Sequence, residues 1–256
     1  MGAGHAQLLH LERDSPVHRL PPETKIAAML AFTLVVVATP RERLWAFGGY
    51  LLLVVAVAVV ARVPAGWLAR RSLIEVPFVA FAFALPLLAG GERIPLAGLS
   101  LSVEGLYGGW NILAKATLGV LASLLLAATT TSRELLVGLD RLRCPSIVTQ
   151  IATFMLRYVN VLVDEARRMR IARISRGDDP RFLWQVRGFA AGVGALFLRA
   201  FERGERVYLA MISRGYTGRM PVAWQATGGA TAGQWMLAAS VPVTAATIAA
   251  VAVLSR

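Results

Sequence analysis

Leu44-Trp-Ala-Phe-Gly-Gly-Tyr-Leu-Leu-Leu-Val-Val-Ala-Val-Ala-Val-Val-Ala61 is an apolar run with no charged residue in it. A run of this length matches the roughly 17–25 residues that a helix needs to cross a bilayer. The same pattern recurs on both sides of it. Ile26–Thr39 precedes it and is opened by Pro21-Pro22-Glu23, with proline and an acid where a helix's first turn accepts them. Leu73–Ala89 follows and carries Pro77 and Pro86 inside it. Leu106–Thr130 and Trp235–Leu254 complete the set. Ile26–Thr39 is short, so it tilts little or thins the bilayer around it.

Composition agrees. The chain has 256 residues, of which 56% are hydrophobic and only 16% charged, whereas a soluble domain carries about a quarter charged. The fold class expected is therefore all-α, a polytopic integral membrane protein with about five transmembrane helices. The first apolar run starts only after a polar segment that holds Arg13, Arg19 and Lys25, so no secretory signal is expected. The single cysteine, Cys144, excludes an intrachain disulfide.

The net charge of +12 is placed unevenly. Three Lys/Arg lie in residues 1–25, three in 62–72 and sixteen in 131–234. The opposite side has Arg41, Arg43, Arg93 and Arg256, and Lys115 lies within the fourth apolar run. The positive-inside rule then puts the N-terminus and residues 131–234 in the cytoplasm and the C-terminus outside. Trp45, Tyr107 and Trp110 fall at the outer interface and Trp67 at the inner one, as aromatic belts do. Topology thus accounts for the basic charge. No DNA-reading motif or stacking platform accompanies it, so nucleic acid is not an expected partner.

The basic region has helical periodicity. Gln150, Thr153, Arg157, Asn160, Asp164 and Arg167 recur in steps of three and four, a narrow polar stripe on a helix over 146–175 that is otherwise apolar. This predicts a helix buried on most of its circumference, against the inner membrane boundary or other helices, with Asp164 and Arg168 as an i,i+4 pair. Gly177 and Asp178-Asp179-Pro180 stop it. A second helix is predicted over 181–214, with Glu202 and Arg206 paired and with Gly188, Gly192 and Gly194 allowing close approach of helix backbones. A shorter one over 132–142, N-capped by Ser132, precedes both.

These two long helices end on the same words: Ala172-Arg-Ile-Ser-Arg-Gly177 and Ala210-Met-Ile-Ser-Arg-Gly215. Glycine past a helix end takes the left-handed conformation freely, and arginine before it suits the negative end of the dipole. A single copy reads as a good C-cap. Two copies on consecutive helices point to two matched guanidinium tips, which suit a partner presenting two similar grooves.

The repeated Ala-x3-Arg-Gly signature, set between a four-span block and a final span, resembles the transmembrane T component of energy-coupling factor transporters, most closely the cobalt-type Q subunits. Ser15-Pro-Val-His-Arg-Leu-Pro-Pro-Glu-Thr-Lys25, directly before the first span, resembles that family as well. Family signatures usually read Ala-Arg-Gly; here Ser175 and Ser213 take the alanine's place. The resemblance implies an energy-coupling scaffold with no catalytic residue. Its ATPase-coupling residues would be Ala172, Arg176 and Gly177 with Ala210, Arg214 and Gly215. Its partners would be two ABC-type ATPase subunits, a membrane substrate-capture subunit and, further, a small accessory membrane subunit. ATP would be bound by the ATPases, and no cofactor by this chain. Cobalt is the expected substrate, with nickel or a vitamin as alternatives. The domains expected are a cytoplasmic segment 1–25, a transmembrane block 26–130, a cytoplasmic helical coupling domain 131–234 and a final span 235–256.

Other residues carry less. Lys115 is an intramembrane charge, a functional candidate that snorkelling or a structural partner would also explain. Glu75 suits a helix start. His5, His10 and His18 share no helical face and have no acidic or thiol partner, so no metal site is expected. There is no Gly-x4-Gly-Lys-Ser/Thr phosphate loop. A polytopic membrane enzyme would need acid or histidine clusters, yet the spans hold no Asp or His. A secondary carrier would show an inverted repeat, which five spans and a lopsided basic block do not resemble.

Overall fold

The computed structural model describes residues 10–90, 93–96, 99–177, 186–218 and 229–254. They form two compact units, one of residues 10–142 with 229–254 and one of residues 143–218.

In the first unit, α1 (Pro22–Ala38) starts ahead of the apolar run, because Pro22 and Glu23 occupy its first turn and Thr24 Oγ1 donates to the Pro21 carbonyl at 2.8 Å. The uncharged run forms α2 (Leu44–Val60). The third apolar stretch is broken into α3 (Ala65–Arg71), a 3-10 turn Ser72–Glu75 and α4 (Val76–Leu88). Pro77 lies in the first turn of α4, where its missing N–H costs no hydrogen bond, and only Pro86 is interior. A two-stranded antiparallel hairpin follows, β1 (Arg93–Leu96) with β2 (Leu99–Ser102), an addition to the all-α expectation. Ser102 closes this connection. Its hydroxyl donates to the Gly90 carbonyl at 2.7 Å and accepts from Gly105 N–H at 3.2 Å, which caps α5 (Val103–Thr129).

α4 packs on α5, and α1 packs on α5, on α6 (Ser132–Arg141) and on α9 (Ala232–Leu254). Gly109 lies against the α4 backbone: a Cβ there would stand 2.5 Å from the Ala82 carbonyl oxygen. With Gly105 one turn earlier, this is small-residue packing between membrane helices. The core centres on Tyr50, fully buried, with Phe32 and Phe47 edge-on to its ring at 6.1 Å. Tyr50 and Thr39 share a hydroxyl hydrogen bond at 2.8 Å, so the phenol is satisfied in an apolar setting.

The α6 cap is corrected: Thr131, not Ser132, is the N-cap, in a capping box with Glu134. The threonine's extended backbone precedes the first helical residue, which is Ser132 itself. α6 is held to α1 by Arg141, whose Nη1 donates to both oxygens of Glu23 at 3.0 and 3.2 Å. Glu23 also accepts the Ala230 N–H at 3.1 Å, ahead of α9. Lys25 Nζ donates to the Thr129 carbonyl at 2.8 Å, at the end of α5.

Four stretches among the described residues are long and apolar enough to cross a membrane: 65–88, 103–129, Ser146–Ser175 and 232–254. α1 and α2, at 17 residues each, sit at the lower limit. Trp45 and Trp110 are exposed at the starts of α2 and α5, as interface anchors are. The chain is an all-α multi-pass membrane protein with one small hairpin.

Candidate functional site

The second unit holds the two long helices, α7 (Ser146–Ser175) and α8 (Val186–Ile212). α8 is described from Val186 onward; its predicted start at 181 and the Asp178-Asp179-Pro180 stop lie outside the described residues. α7 also has the length and composition of a span. Its first half carries only Arg157 as a charge, whereas Asp164, Glu165, Arg167, Arg168, Arg170 and Arg173 crowd the second half.

The described residues of this chain do not themselves supply the burial expected of α7. Thr149 is its only buried residue, and Ile147, Ile151, Met155, Val159 and Val163 are exposed. On α8, Phe189, Phe197, Phe201 and Leu209 are exposed in the same way. The apolar faces exist as predicted, but no described residue of the chain covers them.

α7 and α8 run antiparallel. Glu165 accepts from Arg168 at 2.8 Å, one turn along α7, and also from Arg199 of α8. These two guanidiniums hold the Glu165 carboxyl below the ordinary carboxylate range. The predicted Asp164–Arg168 pair is thereby replaced, because Glu165 is the acid that faces α8. Among the described residues no ion pair joins Glu202 to Arg206. Towards the other end, Tyr216 hydroxyl donates to Gln150 Oε1 at 2.7 Å and Gln150 Nε2 donates to the Gly218 carbonyl at 3.4 Å. The expected close backbone approach does not occur at Gly192 or Gly194. A Cβ on Gly192 would meet only Arg173 Nη1, at 3.7 Å, and one on Gly194 meets nothing within 4 Å. Side chains such as Arg173 and Met169 separate the helices there, around a cleft of about 530 Å³.

The two Arg-Gly endings are built alike. Arg176 N–H donates to Arg173 and Gly177 N–H to Ile174, each at 3.0 Å. Arg214 N–H donates to Met211 at 3.0 Å and Gly215 N–H to Ile212 at 2.9 Å. Both glycines are left-handed, with φ of +82 and +84 degrees, a conformation that costs other residues energy. Ser175 and Ser213 hydroxyls return to the carbonyls of Ile171 and Ala210, each at 3.0 Å, so these serines serve their own helices. Ala172, Arg176, Gly177, Ala210, Arg214 and Gly215 are all exposed. Neither Arg176 nor Arg214 has an ion-pair partner among the described residues.

The antiparallel pairing sets these tips apart. The end of α8 lies beside Gln150, and Arg176 is 26 positions further along the chain. At 1.5 Å per residue that is about 39 Å of helix. The two guanidiniums therefore occupy opposite ends of one rod pair and cannot share a ligand.

The remaining candidates are placed as follows. Lys115 Nζ donates to the Val37 carbonyl at 2.8 Å, satisfying one of the free carbonyls at the end of α1. Glu75 is buried and accepts from Thr117 of α5 at 2.8 Å, a contact that helix-start reasoning did not anticipate. His10 and His18 rings lie 6.2 Å apart, with His18 Nδ1 bonded to Ser15 Oγ at 2.7 Å; His5 lies outside the described residues. No group of three metal-ligating side chains occurs among the described residues.

Comparison with known proteins gives the family. The model of the cobalt transport protein family CbiQ matches residues 13–223, which include both Arg-Gly endings. The chain belongs to the CbiQ family. Among related proteins, the energy-coupling factor transporter transmembrane protein EcfT of Thermanaerovibrio acidaminovorans is 31% identical over 82% of each chain. EcfT of Heliobacterium modesticaldum is 29% identical over 80% of this chain and 81% of its own. The cobalt transport protein CbiQ of Rhodobacter capsulatus is 29% identical over 79% of this chain and 81% of its own. Within this family the chain is a CbiQ-like T component, the transmembrane part of an energy-coupling factor transporter.

Proposed function

We propose that this chain is the non-catalytic energy-coupling scaffold of an importer, in which Arg176 and Arg214 each dock into one of two cytoplasmic ATPase subunits. The observation that carries the reading is the pair of matching, exposed Arg-Gly endings at opposite ends of the α7–α8 pair. Two equivalent sockets on an ATPase dimer would be engaged by two equivalent plugs held about 39 Å apart along a stiff helix. Each guanidinium offers fixed donors for carboxylates and carbonyls and stays charged at any working pH. ATP binding and hydrolysis belong to the partners. Their closure would shift the rod pair as a rigid body, and its uncovered apolar face would carry that shift to a membrane substrate-capture subunit.

In this reading the N-terminus and residues 131–234 are cytoplasmic and the C-terminus is outside. The charges of the second half of α7 support this, since six ionisable side chains between 164 and 173 do not enter hydrocarbon without cost. Cobalt is the proposed cargo, in keeping with the name of the matching family; nickel or a vitamin would be carried by a different capture subunit on the same scaffold.

The test is co-purification from membranes. Arg176→Glu and Arg214→Glu are expected to leave the chain folded in membrane but to lose the ATPase subunits, and with them cobalt uptake. Normal assembly and uptake in both variants would refute the docking role. Normal assembly with nickel uptake in the unmodified complex would refute only the cargo.

A further inference from the structure

In the first unit, a groove of about 330 Å³ lies among α1, α2, α5 and α9. It is lined by residues between 25 and 32 of α1, 53 and 60 of α2, 122 and 129 of α5, and 237 and 241 of α9. α1 and α9 enter the membrane at those residues, while α2 and α5 leave it. The N-terminal parts of α1 and α9 and the C-terminal parts of α2 and α5 therefore lie on the same side of the membrane, and the groove occupies a single leaflet. Its length along α1, seven residues at 1.5 Å, is about 10 Å, within the roughly 15 Å half-thickness of the hydrocarbon.

Its walls are apolar side chains such as Met29, Phe32, Val57 and Leu125, so its occupant is a hydrocarbon chain. Its mouth is basic. The turn that supplies Pro16, Val17 and Leu20 to the groove begins three residues after Arg13. Arg13 Nη1 donates to the Arg62 carbonyl at 2.7 Å, two residues beyond the groove-lining Val60. Asp14 is the nearby acid; it is bonded to Arg19 at 2.6 Å, and Arg19, with a smaller contribution from Arg62, holds its carboxyl below the usual range. Among the described residues Arg13 and Arg62 have no carboxylate within ion-pair distance. Arg62 is exposed and left-handed, with φ of 56 degrees, where the chain turns out of α2.

We infer that this groove is a site for an anionic phospholipid, with one acyl chain between α1, α2, α5 and α9 and the phosphate at Arg13 and Arg62. An apolar slot one leaflet deep under two guanidiniums that no carboxylate contacts complements a lipid in both parts, and basic pockets between membrane helices are recognised sites for anionic headgroups. The inference rests on the membrane reading and not on ATPase docking, so lipid retention and ATPase co-purification can fail separately.

The full chain in detergent, incubated with equal amounts of phosphatidylglycerol and phosphatidylcholine, is examined by native mass spectrometry. Retention of phosphatidylglycerol is expected to exceed that of phosphatidylcholine by about tenfold, as two charge-assisted contacts allow. Arg13→Gln with Arg62→Asn should abolish that preference; asparagine tolerates the left-handed backbone. Ala28→Phe, which fills the groove from a half-buried position, should lower retention with both arginines intact. Arg70→Gln, the same loss of charge on the following helix α3, should change nothing. Equal retention of the two lipids, an unchanged preference in the double variant, or an equal loss in Arg70→Gln would overturn the site.

Discussion

Tyr216 and Gln150, 66 positions apart in the chain, are joined by a 2.7 Å hydrogen bond that fastens the segment beyond the second Arg-Gly ending to the first turns of α7. The bond makes the end of α8 and the beginning of α7 one mechanical element. A load on Arg214 is then taken up by both helices. Tyr216→Phe keeps the ring and removes the hydroxyl, at a cost of about 1 kcal/mol, or about fivefold in an equilibrium. Hydrogen exchange in the last turn of α8 should rise by that factor. ATPase retention should weaken less than in Arg214→Glu, because the guanidinium is still present. Exchange equal to that of the unmodified chain would show that the bond does not hold this end.

Glu165 plays the corresponding part near the other end, bridging Arg168 and Arg199. Its folded-state affinity for a proton is lowered by these partners. The bridge is therefore complete above the carboxylate's unfolded value, about 4.5, and is lost as pH falls through the lower folded value. Distance measurements between spin labels on α7 and α8 should show the pair loosening below that range. Glu165→Gln should show the loosened distribution already at neutral pH. A pH-independent distribution that the substitution leaves unchanged would dismiss the bridge as a surface contact.

Much of this was legible in one dimension. Leu44–Ala61 reads as a membrane helix because every residue in it is compatible with lipid, and the Arg-Gly endings read as helix stops because glycine alone enters the left-handed region without cost. The Gln150–Tyr216, Glu165–Arg199 and Glu23–Arg141 contacts were not legible, since their partners lie 66, 34 and 118 positions apart. Helical periodicity identifies a polar stripe but not which of two neighbouring acids faces the second helix; it chose Asp164, and the rotation of α7 chose Glu165. Small residues misled in one place and went unremarked in another. Gly192 faces only the end of the Arg173 side chain and Gly194 faces open space, whereas Gly105 and Gly109 bring α5 onto α4. Spacing alone cannot tell these apart, because the outcome depends on what stands opposite.

Glu23 is 3% exposed and bonded to Arg141 on α6 and to the Ala230 N–H ahead of α9. Removing one charge of a buried pair leaves the other without compensation, which costs about 3–5 kcal/mol. Glu23→Gln should lower the thermal midpoint in detergent by many degrees. Glu23→Gln combined with Arg141→Met should recover much of that loss, since no charge then stays buried. A double variant no more stable than the single one would place the cost in the Ala230 hydrogen bond instead.

The contact between α4 and α5 is tested by two adjacent glycines. A methyl at Gly109 would meet the Ala82 carbonyl oxygen at 2.5 Å, and backbone cannot swing aside as a side chain can. At Gly108 the nearest atom would be Leu85 Cδ2 at 3.8 Å, an ordinary contact. Gly109→Ala should therefore destabilise the chain by about 1–3 kcal/mol as the helices are pushed apart. Gly108→Ala should be neutral or slightly stabilising, because alanine favours the helix over glycine by about 1 kcal/mol. Helix propensity acts equally at both positions, so the difference between the two variants isolates packing. Thermal unfolding followed by intrinsic fluorescence in one detergent measures that difference. Two variants of equal stability would mean that α4 and α5 separate at no cost, and that glycine at 109 is not what sets their distance.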